Sequence, residues 1–202
     1  MKAPDSDQAN AIAVMVLGAG RSQRFKGGDK LDQFLLGKPV AHYVLAALRG
    51  FHWGRKIVVC RSKPAWMQAY VDDGFVRAEI DNADAGMAGS IHRGLSEITT
   101  QPWVMICLAD MPLISRGHIE ELLAAFSANR AATVATKAAS GFCPPAIFPR
   151  ALLGKLPKTG DDGAKALLGD AHGPVAADSM MRDIDTIADL QMAAQYLRLI
   201  GP

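Results

Sequence analysis

The most chemically suggestive stretch of the chain is a glycine-rich loop that follows its first apolar segment. Residues 11–17 are apolar, and the loop begins directly after them. Glycines let the main chain approach a phosphate closely, and successive N–H groups can form a concavity that binds anions. Basic side chains add fixed positive charge. The pattern predicts a triphosphate cradle, the alternative being a surface loop with solvated basic residues. The residues concerned are Leu17, Gly18, Ala19, Gly20, Arg21, Ser22, Arg24 and Lys30.

The loop does not match the common phosphate-binding motifs. A P-loop requires Gly-Lys-Ser/Thr at a fixed distance from its first glycine, and that sequence is missing here. The dinucleotide fingerprint requires a third glycine three residues after Gly20, which is also missing. The loop alone therefore predicts an anion site without naming a reaction.

Acidic residues in two later parts of the chain are candidate metal ligands. Asp110 comes directly after the apolar run 103–108, and Asp183 and Asp185 precede the last predicted helix. Mg²⁺ prefers oxygen ligands and usually takes one or two carboxylates together with phosphate oxygens. The alternatives are structural: Asp110 can accept main-chain hydrogen bonds before Pro112, and Asp185 or Thr186 can cap the helix.

A fourth segment joins glycines to a helix start. Residues 86–94 contain Gly86, Gly89 and Ser90, and apolar residues at helical spacing run to residue 98. Free N–H groups at a helix N-terminus favour a phosphate or a polar base edge. The alternative is that Ser90 only caps this helix.

These residues require a scaffold, and the rest of the pattern predicts one. Short apolar runs alternate with helical periodicity, which favours a single α/β domain with a mostly parallel, Rossmann-like sheet and helices on both faces. Prolines 144, 145 and 149 break the pattern, so residues 146–148 are predicted as an edge or antiparallel strand. The domain is expected to span residues 11–202 after a flexible segment, 1–10. Ligands of such sheets bind beyond the carboxyl ends of the strands, where all four segments are predicted to lie.

Composition narrows the possible partners. Lys and Arg total 22 against 20 Asp and Glu, a net charge of +2, which gives no general case for binding nucleic acid or membranes. No apolar run approaches the roughly 18 residues needed to cross a bilayer. The three cysteines show no metal-ligand spacing, and Cys60 and Cys107 are expected to be buried. We expect a cytoplasmic protein.

Taken together, the segments resemble the MobA-like NTP-transferase family. The run from Val16 to Phe25, followed by Asp29-Lys30-Leu31, is similar to its signature L-A-A/G-G-x-S-x-R-M-G and K-L. Three later segments and a closing motif resemble the molybdenum cofactor cytidylyltransferase type. They are Gly86-Met87-Ala88-Gly89-Ser90, Leu108-Ala109-Asp110-Met111-Pro112, Gly160-Asp161-Asp162-Gly163 and Asp183-Ile184-Asp185-Thr186.

The resemblance implies a fold like that of the nucleotide-diphospho-sugar transferases and an enzyme that uses Mg²⁺. It implies transfer of a nucleoside monophosphate from an NTP, by this type CTP, to the terminal phosphate of molybdopterin cofactor, a phosphorylated pterin. By this resemblance Asp110 would bind the metal, and we choose Asp185 as the second ligand, with Asp183 as the spare candidate. Arg24, Lys30 and Asp110 would be catalytic, and residues 17–22, Lys30, Gly86 and Ser90 would contact the nucleotide. A molybdoenzyme partner is also implied.

The sequence departs from the family pattern in places that concern specificity. Gly18 stands where the family usually has Ala, and Phe25-Lys26 replaces Met-Gly. Residues 27–30, Gly-Gly-Asp-Lys, resemble the guanylyltransferase branch as much as the cytidylyltransferase one. GTP as donor, a different phosphorylated acceptor, and a non-catalytic module that delivers a nucleotide or cofactor therefore stay open.

Overall fold

A computed structural model describes residues 9–20, 22, 25, 28–81 and 86–200 of the chain. Most of the expected flexible segment, residues 1–8, lies outside this part of the chain. Arg21 and Arg24, which the sequence places in the phosphate loop, also lie outside it.

A six-stranded sheet forms the centre of the fold, in the order β5-β4-β1-β6-β8-β7. The first four of these strands are parallel, and β8 runs antiparallel to both of its neighbours. The predicted mostly parallel α/β sheet is confirmed. A separate two-stranded hairpin, β2 and β3, was not predicted. The strands are β1 (Ile12–Gly18), β2 (Phe34–Leu35), β3 (Lys38–Pro39), β4 (Arg55–Cys60), β5 (Val76–Glu79), β6 (Trp103–Leu108), β7 (Val134–Ala138) and β8 (Gly141–Pro149).

Helices cover both faces of the sheet, as predicted. Successive side chains of a strand point to opposite faces, so Val14 and Val16 belong to one buried cluster and Met15 and Leu17 to the other. The helices are α1 (Ala41–Leu48), α2 (Gln68–Asp72), α3 (Gly86–Leu95), α4 (Arg116–Ala128), α5 (Arg150–Leu153) and α6 (Ile187–Ile200), with 3-10 turns at Ala65–Met67 and Lys165–Leu168.

The second half of the sheet explains the irregular pattern around the prolines. The antiparallel strand is β8, which is longer than predicted and lies inside the sheet with β7 beyond it. The pairing of β7 and β8 shifts register between Ala135 and Thr136, next to Pro144 and Pro145. Proline donates no hydrogen bond, so it is accommodated where the ladder is interrupted. Residues 172–176 then hydrogen-bond along the outer side of β7.

Two local features complete the scaffold. Ser115 caps α4, with its hydroxyl accepting from the N–H of His118 at 3.2 Å. Cys60 and Cys107 are buried, as predicted. In the described part of the chain, every helix is too short or too polar to span a bilayer.

Candidate active site

Three carboxylates meet at the carboxyl edge of the sheet. Asp110 follows β6, and the N–H of Ala109 donates to the carbonyl of Leu17 at the end of β1, 3.0 Å away. One oxygen each of Asp110, Asp183 and Asp185 lies within 4.8 Å of the others. The sequence predicted Asp110 and Asp185 as the ligand pair with Asp183 as a spare, and the structure brings all three together.

A main-chain hydrogen bond brings the segment with Asp183 and Asp185 to Asp110. The N–H of Ile184 donates to the carbonyl of Asp110 at 2.9 Å, and the Ile184 side chain is buried in the core. Ile184 therefore anchors the segment, and the carboxylates on either side of it reach Asp110. This contact joins segments more than seventy residues apart, which sequence spacing alone cannot specify.

Asp185 does not cap the last helix. The hydroxyl of Thr186 accepts from the N–H of Asp189, while the Asp189 carboxylate accepts from the N–H and hydroxyl of Thr186 at 2.8 and 2.6 Å. This reciprocal arrangement is a capping box. Thr186 is therefore the cap, and Oδ1 of Asp185 contacts Lys30.

Lys30 lies between two of the carboxylates. Its Nζ is 2.7 Å from Oδ2 of Asp110 and 2.9 Å from Oδ1 of Asp185. The lysine side chain is only 10% exposed, so these contacts are shielded from water. The structure thus connects the predicted phosphate loop directly to the predicted metal site.

The charges at this site favour an additional cation. Burial by itself lowers the pKa of Lys30, but Asp110 and Asp185 outweigh it and raise the pKa above its usual 10.5, so the side chain is an ammonium. Burial raises the pKa of Asp110, Lys30 opposes this rise, and the charge of Asp183 adds to it. Three carboxyl groups therefore face one ammonium, an excess of two acidic groups.

The donor set fits a divalent metal. Oδ1 of Asp110 is buried and has no hydrogen-bond partner among the described residues. A buried oxygen without a partner is costly, and oxygen ligands of this type suit Mg²⁺ or Mn²⁺. Asp110, Asp183 and Asp185 are the residues that would hold such an ion.

A pocket of about 450 Å³ opens beside the glycine-rich loop. It lies at the carboxyl ends of β1, β4 and β5, where ligands of open α/β sheets bind. Its lining residues are Gly18, Asp29, Arg61, Ser62, Pro64, Ile80 and Asp81.

The described part of the glycine-rich loop has distinct contacts. Leu17 and Gly18 end β1, Ala19 is half-buried and Gly20 is exposed. Ser22 has a positive φ of 49°. Its hydroxyl donates to the carboxylate of Asp29 at 3.2 Å and accepts from the N–H of Lys30 at 3.3 Å. The Ser22 hydroxyl therefore links the glycine-rich loop to the main chain at Asp29 and Lys30.

The segment around Gly86 and Ser90 differs from the predicted helix start. Helix α3 begins at Gly86, four residues before Ser90, and the N–H of Ala88 donates to the carbonyl of Gly160 at 3.0 Å. Ser90 is buried in the helix, and its hydroxyl donates to the carbonyl of Gly86, so Ser90 is not the cap. The described lining of the pocket includes neither Gly86 nor Ser90. Their predicted nucleotide contacts stay a prediction.

Arg61 and Asp81 were not singled out from the sequence. Arg61 follows β4 directly, and Asp81 comes two residues after the end of β5. Both satisfy the rule that ligand-binding residues follow strands, which is the signal that identified Asp110. Their side chains bring one cation and one carboxylate to the pocket.

Comparison with known proteins identifies the family of this chain. Over residues 14–175 it matches the family described as MobA-like NTP transferase domain. A molybdenum cofactor guanylyltransferase of Pseudomonas putida (strain KT2440) is 29% identical over 163 residues, 80% of this chain and 82% of that protein. An Rv0371c homologue from Mycobacterium sp. strain JC1 has a similar fold, with a TM-score of 0.73, 21% identity, and coverage of 95% of this chain and 99% of that one. Rv0371c of Mycobacterium tuberculosis in complex with manganese has a TM-score of 0.67 at 18% identity, covering 92% and 99%.

Proposed function

Because the chain belongs to the MobA-like NTP transferase domain family, we propose that it is a metal-dependent nucleotidyltransferase of molybdenum cofactor biosynthesis. It transfers a nucleoside monophosphate from an NTP to the terminal phosphate of molybdopterin and releases pyrophosphate. The observation that carries this proposal is the contact of Lys30 with Asp110 and Asp185, at one edge of the sheet and next to the glycine-rich loop.

The reaction exchanges one phosphate bond for another. An oxygen of the acceptor's terminal phosphate attacks the α-phosphorus of the NTP, and a new P–O bond forms. The bond from the α-phosphorus to the bridging oxygen breaks, and its electron pair leaves with pyrophosphate. Such chemistry depends on positioning and on charge neutralisation, and it needs no covalent nucleophile from the protein.

Lys30 supplies a positive charge for this step. Its ammonium lies against the carboxylates of Asp110 and Asp185. A triphosphate seated in the pocket offers it a second set of oxygens, and a cation bound to the carboxylates would release it toward them. Arg21 and Arg24 are proposed to add charge around the triphosphate, while the main chain of residues 17–20 faces it.

Asp110 and Asp185 are the proposed metal ligands, with Asp183 as a third. We propose Mg²⁺ as the ion, and the manganese complex of Rv0371c shows that this fold can hold a divalent metal in that protein. When bound, the ion acts as a Lewis acid and template for the reacting phosphates.

GTP is the proposed nucleotide, in place of the CTP expected from the sequence. The curated relative from Pseudomonas putida is named a guanylyltransferase. The pocket chemistry supports the same choice, since Asp81 and Arg61 both line the pocket, and a carboxylate accepts hydrogen bonds while a guanidinium donates them. Guanine presents two adjacent N–H groups beside one carbonyl oxygen, which complements this pair. Cytosine presents a single amino group, which would use only one oxygen of the carboxylate.

A panel of nucleotides and acceptors tests the proposal. Pyrophosphate release is measured with each of the four NTPs, in Mg²⁺ and after chelation. Each NTP is tested with molybdopterin, with a sugar phosphate in its place, and with no acceptor. We expect release only with GTP, molybdopterin and metal together. Release with CTP alone of the four would overturn the choice of base, and release with a sugar phosphate in place of molybdopterin would overturn the acceptor.

The same panel addresses a non-catalytic role. A module that only delivers a nucleotide or cofactor to a molybdoenzyme would bind GTP without metal-dependent turnover. The buried Asp110 oxygen without a partner favours the enzyme, since a delivery module has no need for a desolvated carboxylate.

A further inference from the structure

The main chain at the end of β1 rests directly on an indole ring. A Cβ added to Gly18 would lie 2.7 and 2.9 Å from two ring carbons of Trp66 and 3.3 Å from a methyl carbon of Leu31. Separations below 3.0 Å are incompatible with normal packing. Either the ring or the glycine-rich loop would have to move to accommodate a side chain at residue 18.

The ring is held in place from behind. Trp66 is 1% exposed, and its ring packs edge-to-face on Tyr70 with centroids 5.5 Å apart and planes at 77°. The Tyr70 hydroxyl donates to the carbonyl of Ala41 at 2.7 Å. Close-packed interiors transmit such displacements instead of absorbing them. An obstruction at residue 18 would therefore displace the loop outward, toward the pocket.

The main chain of Trp66 is fixed as well. Its N–H donates to Oδ1 of Asp32 at 3.0 Å, and its carbonyl accepts from Nε2 of His42 at 3.0 Å. Asp32 and His42 both lie outside residues 18–20, so these two hydrogen bonds hold Trp66 independently of the main chain that lies on its ring. Trp66 thus forms a rigid floor beneath Gly18.

A second contact links the same segment to the loop. The guanidinium of Arg61 donates to the carbonyl of Gly20 at 2.9 Å. Arg61, Pro64 and Gly18 all line the pocket. Residues 61–66 therefore contact the loop twice, through the Trp66 ring at Gly18 and through the Arg61 guanidinium at Gly20.

We propose that Trp66 is a positioning residue for the nucleotide. Its ring fixes the position of the main chain at Gly18–Gly20 relative to the pocket. Residue 18 must be glycine because the ring leaves no room for a side chain there. Trp66 touches no reacting atom and acts only through the loop. This inference rests on the proposed function because it assumes that the loop binds the triphosphate.

A double-mutant cycle tests the inference. Binding of GTP and of CTP with Mg²⁺ is measured by calorimetry for the unchanged chain, Gly18→Ala, Trp66→Phe and the double variant. Loss of one main-chain hydrogen bond to a charged phosphate weakens binding by about ten- to a hundredfold, so we expect Gly18→Ala to raise the Kd at least about tenfold. Trp66→Phe shortens the ring, and the double variant should return to within about threefold of the unchanged chain.

Trp103→Phe provides the matched control. Trp103 packs edge-to-face on Phe126, 5.0 Å away, at the start of β6 and therefore at the opposite edge of the sheet from Asp110. Combined with Gly18→Ala it should leave binding as weak as Gly18→Ala alone. Thermal unfolding of each variant separates loss of folded protein from loss of affinity.

Three outcomes decide the matter. Restored binding in the Gly18→Ala, Trp66→Phe double variant, with no restoration by Trp103→Phe, supports the inference. Unchanged binding in Gly18→Ala, or equally weak binding in that variant and the double variant, overturns it while the proposed function stands. Absence of GTP and CTP binding in the unchanged chain overturns the proposed function and the inference together.

Discussion

Replacement of Lys30 by alanine is the most direct perturbation of the proposed site. The Lys30→Ala variant loses the ammonium that lies 2.7 Å from Asp110 and 2.9 Å from Asp185. Three carboxylates then remain within 4.8 Å of one another without their cation. The triphosphate and the departing pyrophosphate lose the same charge. The variant should therefore be impaired in turnover and altered in metal affinity.

The magnitude follows from the value of a single preorganised charge contact. Removal of one such contact costs about 2.7–4 kcal/mol of transition-state stabilisation, which corresponds to about a hundred- to a thousandfold in kcat. The stability loss should be smaller, about 1–3 kcal/mol, because the two carboxylates are 18% and 24% exposed and water can replace the ammonium. For a chain of this size each kcal/mol lowers the Tm by about 2–4 °C.

Two assays read these effects separately. Pyrophosphate release with GTP, molybdopterin and Mg²⁺ gives kcat and KM, and calorimetry without nucleotide gives the affinity for Mg²⁺. We expect the variant to bind Mg²⁺ more tightly than the unchanged chain, because the ammonium that competes for the carboxylates is gone. Loss of turnover together with tighter metal binding would distinguish removal of a charge from general damage.

Lys56→Ala is the matched control. Nζ of Lys56 lies 3.0 Å from Oδ2 of Asp73, at the start of β4 and away from the carboxyl edge of the sheet. This variant should lose some stability and keep its kcat and its Mg²⁺ affinity. A Lys30→Ala variant whose kcat/KM stays within about threefold of the unchanged chain would refute the assigned role of Lys30.

Three further predictions concern other parts of the molecule. Asp110→Asn should lower turnover at least about a hundredfold and weaken Mg²⁺ binding in calorimetry; retention of both would remove Asp110 from the site. Thr186→Ala removes the cap of α6 and should cost about 1 kcal/mol in denaturant unfolding; an unchanged unfolding midpoint would contradict the capping role. Burial lowers the pKa of His118 below its usual 6.5, although Glu121 opposes the shift. As the pH falls, His118 is therefore protonated in the unfolded chain before it is protonated in the folded chain. Its contribution to the free energy of unfolding is fully present above pH 6.5 and is lost as the pH falls through the lower pKa of the folded state. In the His118→Gln variant the unfolding midpoint should depend less on pH as the pH falls below 6.5; an unchanged slope would show that another group titrates there.

The strands were predictable because a buried strand needs little beyond its own composition. Residues 103–108 were predicted as a strand, and β6 has those same bounds. Helix α3 begins four residues before Ser90, and near its start the N–H of Ala88 donates to a remote partner, the carbonyl of Gly160. No local signal near Ser90 contains that contact. The β2–β3 hairpin was missed because each of its strands has only two residues.

In the candidate site, too, individual residues were predictable from the sequence but their mutual contacts were not. Asp110, Asp185 and Lys30 were predicted individually, and the family resemblance supported them together. Their meeting depends on the hydrogen bond from the N–H of Ile184 to the carbonyl of Asp110, and Thr186, not Asp185, caps the helix that follows. Trp66 shows no chemical signal in the sequence, since a buried tryptophan ordinarily belongs to the core. Its contact with Gly18 is visible only in the folded chain.

By itself, the sequence determined that apolar strands alternate with helices and that glycines and carboxylates follow the ends of those strands. Parallel strands align their carboxyl ends, so this order already implies one shared edge for the site. Only the tertiary structure decided which carboxylates face Lys30, which residues line the pocket and what supports the glycine-rich loop. Those outcomes depend on contacts between distant segments, and local composition does not encode the distance between Lys30 and Asp185 or between Gly18 and Trp66.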